Sequence, residues 1–349
     1  MGNDQKNRLI VLDVIKAICI IMVILRHVAF PEEIQRKILY PFTILPAVPI
    51  FLMCSVFVYC YVEDRNNGTI LSWFSNKVFW KRMERYLLPF LVSVAVLIAG
   101  LFLFMNIKRI SLYSIYRIIQ FGGRGPGNYY VLIIFQFMVI FPFLRYFYKK
   151  QPAATVVALV LIHIAYETLC KYWQLGKHPY YELIFRYLTH LGLGFLLYTY
   201  AEQLRKTAIP LICIVIGTIY LINVYYLGYQ PVLEYDYSTR GIIASLFSFG
   251  VLCYVLRIET ILTKNLSGGE VPVSLRVVCH IGKASYHIML TQMVFFYFVR
   301  YFEIEARMGS LWLVLLMDLA VPLSAGCLFY AIDQWIHQKL YSLRKKALA

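Results

Sequence analysis

The apolar stretch LIVLDVIKAICIIMVILRHVAF, residues 9–30, holds four ionisable side chains: Asp13, Lys16, Arg26 and His27. Lys16 and His27 are eleven residues apart, close to three helical turns. A helix therefore puts them on one face, about 16 Å apart along its axis. A cation at one end of such a stripe and a titratable imidazole at the other suit a ligand threaded along the helix. Neutral histidine is the usual proton acceptor near pH 7. The same spacing allows a plainer arrangement, in which Asp13 and Lys16 neutralise each other at i, i+3 and His27 only hydrogen-bonds.

What must position these residues is set by composition. Of 349 residues 60% are apolar and only 15% charged, where a soluble domain is nearer half and a quarter. A mean hydropathy of +0.66 excludes a soluble enzyme with a single anchor. An aromatic content of 17% excludes a disordered chain. Each of the eight cysteines lies within an apolar run, with no CxxC and no Cys/His ligand spacing, so neither disulfides nor a metal are expected. The net charge of +16 suits cytoplasmic loops and lipid head groups rather than nucleic acid.

The fold class expected is an all-α polytopic membrane protein. About 20 apolar residues are needed per crossing, and ten windows qualify: roughly 9–29, 42–62, 86–107, 128–147, 153–171, 183–203, 208–227, 240–256, 277–299 and 311–336. Alternate sides then carry 20 and 12 basic residues, which assigns both termini to the cytoplasm. Segment 69–85 interleaves aromatics with bases and is expected along the cytoplasmic interface. The gaps between windows are too short for a separate folded unit. Residues 1–349 are thus read as one integral membrane domain with no appended soluble domain.

Several further segments carry chemistry. KRMERYLLPF (81–90) places Lys81, Arg82 and Arg85 at a span entrance. Glu167, Arg186 and His190 gather at the ends of two neighbouring spans. The glycine string 122–127 leads into Asn128, Tyr129 and Tyr130, with Gln136 beyond. It follows no strand, so a tight turn lining a cavity is a better reading than a dinucleotide site. Ser285, His287 and Gln292 fall near mid-membrane, with Asp318 as a candidate partner for His287. For each the plainer role stands beside the functional one: lipid anchoring for the bases, a structural ion pair for Glu167 and Arg186, an interface belt for the tyrosines and packing for His287.

Taken in order, these segments resemble the acyltransferase family 3 of integral membrane proteins. Its first helix has a basic residue, ten residues, then His, here Lys16 to His27 preceded by Leu12-Asp13. VPIFLMCSVF (48–57), the Arg82-x-x-Arg85 pair followed by Pro89, GPGNYYVLIIFQFMVIFP (125–142) and IGKASYHIMLTQ (281–292) continue the likeness over nearly the whole chain. Lys16 stands where Arg is commoner, Cys54-Ser55 where Ser-Gly is usual, and Arg26 where a small residue is frequent. The resemblance implies an O-acyltransferase moving an acyl group, typically acetyl, from cytoplasmic acyl-coenzyme A to a hydroxyl of a surface glycan or lipid-linked glycan. It implies a multi-pass place in a cell membrane, the bacterial cytoplasmic membrane. His27 is then the catalytic base, with direct attack by its imidazole as a variant. Lys16, Lys81, Arg82 and Arg85 hold the donor, and Glu167, Arg186, His190, Tyr129, Tyr130, Gln136, Ser285 and His287 form an acceptor-side or supporting group. The alternative is a polysaccharide exporter or flippase without catalysis, which needs a polar tunnel too.

Overall fold

The structure, a computed structural model, describes residues 3–65, 73–74, 76–105, 110–204, 206–231, 234–235, 241–266 and 272–347. Among them there is no strand. The helices are α1 (Asn3–Leu25), α2 (Glu32–Lys37), α3 (Tyr40–Thr43), α4 (Ala47–Arg65), α5 (Asn76–Phe104), α6 (Leu112–Gln120), α7 (Tyr129–Lys150) and α8 (Pro152–Tyr172). There follow α9 (Lys177–Glu182), a 3-10 turn (Ile184–Tyr187), α10 (Leu188–Leu204), α11 (Ile209–Tyr225), α12 (Ala244–Leu266), α13 (Val273–Tyr301), α14 (Ile304–Arg307) and α15 (Leu311–Ala347). Each of the ten apolar windows coincides with one of the long helices α1, α4, α5, α7, α8, α10, α11, α12, α13 and α15.

Five stretches among the described residues are long and apolar enough to cross a membrane: Tyr40–Arg65, Phe79–Phe104, Tyr129–Lys150, Pro152–Tyr172 and Leu311–Lys339. Their outer faces are apolar and exposed, as at Leu103, Leu316 and Leu328, which water would not favour but lipid would. Helices α1 and α13 are not among the five. They carry Asp13 and Lys16, and Lys283 and His287, and they pack along each other at the centre. Facing their polar groups inward, toward each other, is how a bundle keeps ionisable side chains out of hydrocarbon. Helix α4 packs on α1, α10 packs on α4, and α15 covers the other side of α13.

Three boundaries differ from the sequence expectation. Helix α1 stops at Leu25, so Arg26 and His27 lie in the turn that follows, where His27 N–H bonds to the Ile24 carbonyl at 2.9 Å. Residues 76–85 do not form an interfacial segment of their own: they are the first turns of α5, which runs unbroken through Pro89. Residues 69–72 and 75 of that expected segment lie outside the described residues. Helix α12 extends ten residues past its apolar window, because the polar turns after Leu256 need no hydrocarbon to remain helical.

Candidate active site

A cavity of ≈ 230 Å³ lies between α1, α4, α5, α7 and α13. Asp13 and Lys16 line it from the middle of α1, and Arg26 and His27 line it just beyond the helix's C-terminal end. The helical stretch 16–25 and the turn after it therefore run along its wall, and both ends of the sequence stripe open into one space. Lys16 Nζ bonds to Asp13 Oδ1 at 2.9 Å, so the plain i, i+3 pairing and the cavity location hold together.

Across from this pair, α13 closes on α1. A Cβ at Gly282 would sit 1.9 Å from the Asp13 carbonyl oxygen, so only glycine allows the approach. That contact brings Lys283, Ser285 and Tyr286 to the cavity. Tyr286 donates from its hydroxyl to the Tyr86 carbonyl at 2.9 Å, with the two rings edge-on at 4.9 Å, which ties α13 to α5. Arg85, one residue before Tyr86, also lines the cavity. Lys16, Arg85 and Lys283 against the single carboxylate of Asp13 leave this end net positive, a setting that favours a polyanion.

The other end is walled by the glycine turn. Gly122, Gly123, Gly125 and Gly127 all have positive φ, between 73° and 113°, which side chains rarely adopt. Gly125 abuts α13, where a Cβ would fall 2.1 Å from the Met293 carbonyl oxygen. Asn128 locks the turn by donating to the Phe121 carbonyl at 2.8 Å. A Cβ on Gly127 would stand 3.9 Å from both His27 Nε2 and Gln292 Nε2, so the bare backbone leaves the space between them open. Phe296 packs its ring 5.6 Å from the imidazole, and the Arg300 guanidinium lies 3.5 Å from the His27 carbonyl oxygen. The turn after α1 is thus held from α13.

Of the residues singled out by sequence, His27, Lys16, Asp13, Arg26, Arg85, Tyr129, Tyr130, Ser285, His287 and Gln292 come together around this cavity. The others do not. The Arg82 guanidinium lies 3.9 Å over the Trp73 ring and 5.0 Å from that of Tyr59, turned into an aromatic wall instead of the cavity. Lys81 is exposed and not part of the lining. Gln136 braces the chain between α9 and the 3-10 turn, donating to the Glu182 carbonyl at 2.6 Å and accepting from Ile184 N–H at 3.0 Å.

Glu167, Arg186 and His190 form a separate buried knot. Glu167 accepts from the Tyr180 hydroxyl at 2.7 Å and from Tyr235 N–H at 2.9 Å. Arg186 Nε lies 3.9 Å from Glu167, its guanidinium 4.2 and 4.3 Å from the ring centroids of Tyr180 and Tyr181. His163 faces Glu167 at 3.5 Å and Thr189 at 2.8 Å. The knot sits behind Tyr129, whose ring is 5.8 Å from that of Tyr181. In position it supports the cavity wall; none of its three sequence candidates lines the cavity.

His287 has a different partner from the one expected. Its Nε2 lies 3.2 Å from Asp333 on α15, and Asp333 also faces His337 at 3.6 Å, whereas Asp318 is fully buried elsewhere. Sequence reasoning named Gln292 beside Ser285 and His287 but passed over Lys283 and Asp333, charges within apolar windows that could have been flagged on that ground alone. Among the described residues no group of three His, Cys, Asp or Glu could hold a metal ion.

Neither a curated protein nor a solved structure matches the chain. A family model described as an acyltransferase domain matches residues 9–331, from the start of the α1 stripe to beyond the middle of α15. The chain belongs to acyltransferase family 3, and it is a membrane acyltransferase.

Proposed function

We propose that the cavity transfers an acyl group, acetyl in the simplest case, from acyl-coenzyme A to a hydroxyl of a surface glycan or lipid-linked glycan. The protein is then a multi-pass enzyme of the bacterial cytoplasmic membrane with both termini inside. The observation that carries this reading is that Lys16 and His27 line one cavity, a cationic end and an imidazole end of the same space.

In the chemistry that follows, Lys16, Arg85 and Lys283 draw in the donor's phosphates by charge-assisted hydrogen bonds. The pantetheine arm lies along the α1 face past Ile20 and Val23, which are apolar and line the cavity. His27 takes the proton from the acceptor hydroxyl as its oxygen adds to the thioester carbonyl carbon. When the carbon–sulfur bond breaks, the same imidazole returns that proton to the leaving thiolate. Tyr129 and Tyr130 offer ring faces and hydroxyls to the sugar.

Calorimetry of the purified protein with acetyl-coenzyme A, followed by transfer of labelled acetyl to the isolated surface glycan, tests this. Saturable binding and labelled glycan are expected. Heat-silent titrations together with unlabelled glycan would remove both the donor and the reaction.

A further inference from the structure

Gln292 is fully buried on α13, yet neither its Oε1 nor its Nε2 has a hydrogen-bond partner among the described residues. Gln136 shows what a structural glutamine does in this fold, since both of its amide atoms are occupied by backbone groups. A buried amide left unpaired is costly, so it is kept where something absent from the resting protein completes it. Gln292 lines the cavity, and its Nε2 and His27 Nε2 each stand 3.9 Å from the point where Gly127 lacks a Cβ.

We propose that Gln292 is a catalytic residue of the acyl transfer, the donor to the developing oxyanion. This inference rests on the function proposed above and deepens it. The two nitrogens are no more than about 8 Å apart, the reach needed for one hydrogen bond from each with a tetrahedral carbon between. As the acceptor oxygen, losing its proton to His27, bonds to the thioester carbonyl carbon, the carbonyl π pair moves onto the acyl oxygen. The Gln292 NH2 donates to that oxygen. Collapse re-forms the carbonyl, breaks the carbon–sulfur bond and sends the proton from His27 to the thiolate, so no further reactant is required. The amide can turn about its last torsion to present NH2, because neither of its atoms is engaged elsewhere. Gly127 is the companion requirement: any side chain there would enter the space the acyl carbon needs.

The test compares Gln292→Met and Gln292→Glu, which keep the volume but lose the neutral donor, with His27→Ala, using acetyl-coenzyme A and the isolated surface glycan. Both Gln292 variants should lose about 10²–10³-fold in kcat, with the KM for acetyl-coenzyme A within threefold of wild type. Gln292→Met should melt at or above the wild-type temperature, since it removes an unpaired buried amide; a structural glutamine would lower it. His27→Ala losing its turnover while Gln292→Met keeps kcat within threefold would overturn the proposal alone. His27→Ala turning over at the wild-type rate would overturn the function proposed above, and this inference with it.

Discussion

Gly282 approaches Asp13 so closely that a single added carbon would stand 1.9 Å from the Asp13 carbonyl oxygen. This contact sets the distance between α1 and α13, and with it the position of Lys283 and Ser285 opposite Lys16. Backbone is on the far side of the contact, so the clash cannot be relieved by turning a side chain. Gly282→Ala should cost about 1–3 kcal/mol or more in stability through overpacking and reduce activity further by moving α13. Thermal unfolding in detergent measures the first; a wild-type melting temperature would mean that the helices part freely here.

The Lys16–Asp13 pair separates a donor site from a structural ion pair. If Lys16 holds phosphate, Lys16→Ala should weaken acetyl-coenzyme A binding about 10–100-fold, as expected for a lost charge-assisted bond. Asp13→Asn removes a competing acceptor and should leave affinity equal or tighter. Lys16→Arg keeps the charge and should bind. Calorimetry on the three variants gives the comparison, and equal losses for Lys16→Ala and Asp13→Asn would make the pair structural.

Arg82 and Arg85 should behave differently although they are one helical turn apart. Arg85 lines the cavity, so Arg85→Gln should raise the donor KM and lessen its dependence on salt. Arg82 is stacked on Trp73, so Arg82→Gln should lower stability by about 0.5–2 kcal/mol, the range of a partly buried cation–π contact, with donor KM unchanged. A higher KM for Arg82→Gln alone would reverse these roles.

The sequence carried the long helices and the α1 stripe plainly, because apolar length and helical spacing are local properties. Partners across space were not local. Whether Arg82 or Arg85 meets the cavity depends on the rotation of α5 against Trp73, and Trp73 precedes the helix. His287 finds Asp333 rather than Asp318, fifteen residues earlier on the same helix, a choice set by how α15 packs along α13. Glu167, Arg186 and His190 look like a polar site in sequence, and only the structure shows Glu167 held by the Tyr180 hydroxyl and the backbone N–H of Tyr235, with Arg186 against the rings of Tyr180 and Tyr181. Gln292 was legible only as a polar residue near mid-membrane; its role could not be read there, since that comes from unpaired amide atoms and from a glycine 165 positions away.

Orientation across the bilayer has its own test. The basic-residue asymmetry predicts that both ends are in the cytoplasm and the turn between α5 and α7 is outside. Ser111, which caps α6 by accepting from Ser114 N–H at 3.1 Å, is on that outer turn. A cysteine at position 111 should react with an impermeant thiol reagent in intact cells, and one at the carboxyl end only after lysis. Labelling of both from the outside would require an odd number of crossings between them to be replaced by an even one.

The central claim is that His27 passes the hydroxyl proton in an acyl transfer, and replacing it tests this most directly. In cells producing His27→Ala, glycan acylation is measured by mass spectrometry together with glycan export. General-base assistance is worth about 10²–10⁴ in rate, so acylation should vanish while export continues and the purified variant still binds acetyl-coenzyme A. Full acylation by the His27→Ala protein would contradict the mechanism.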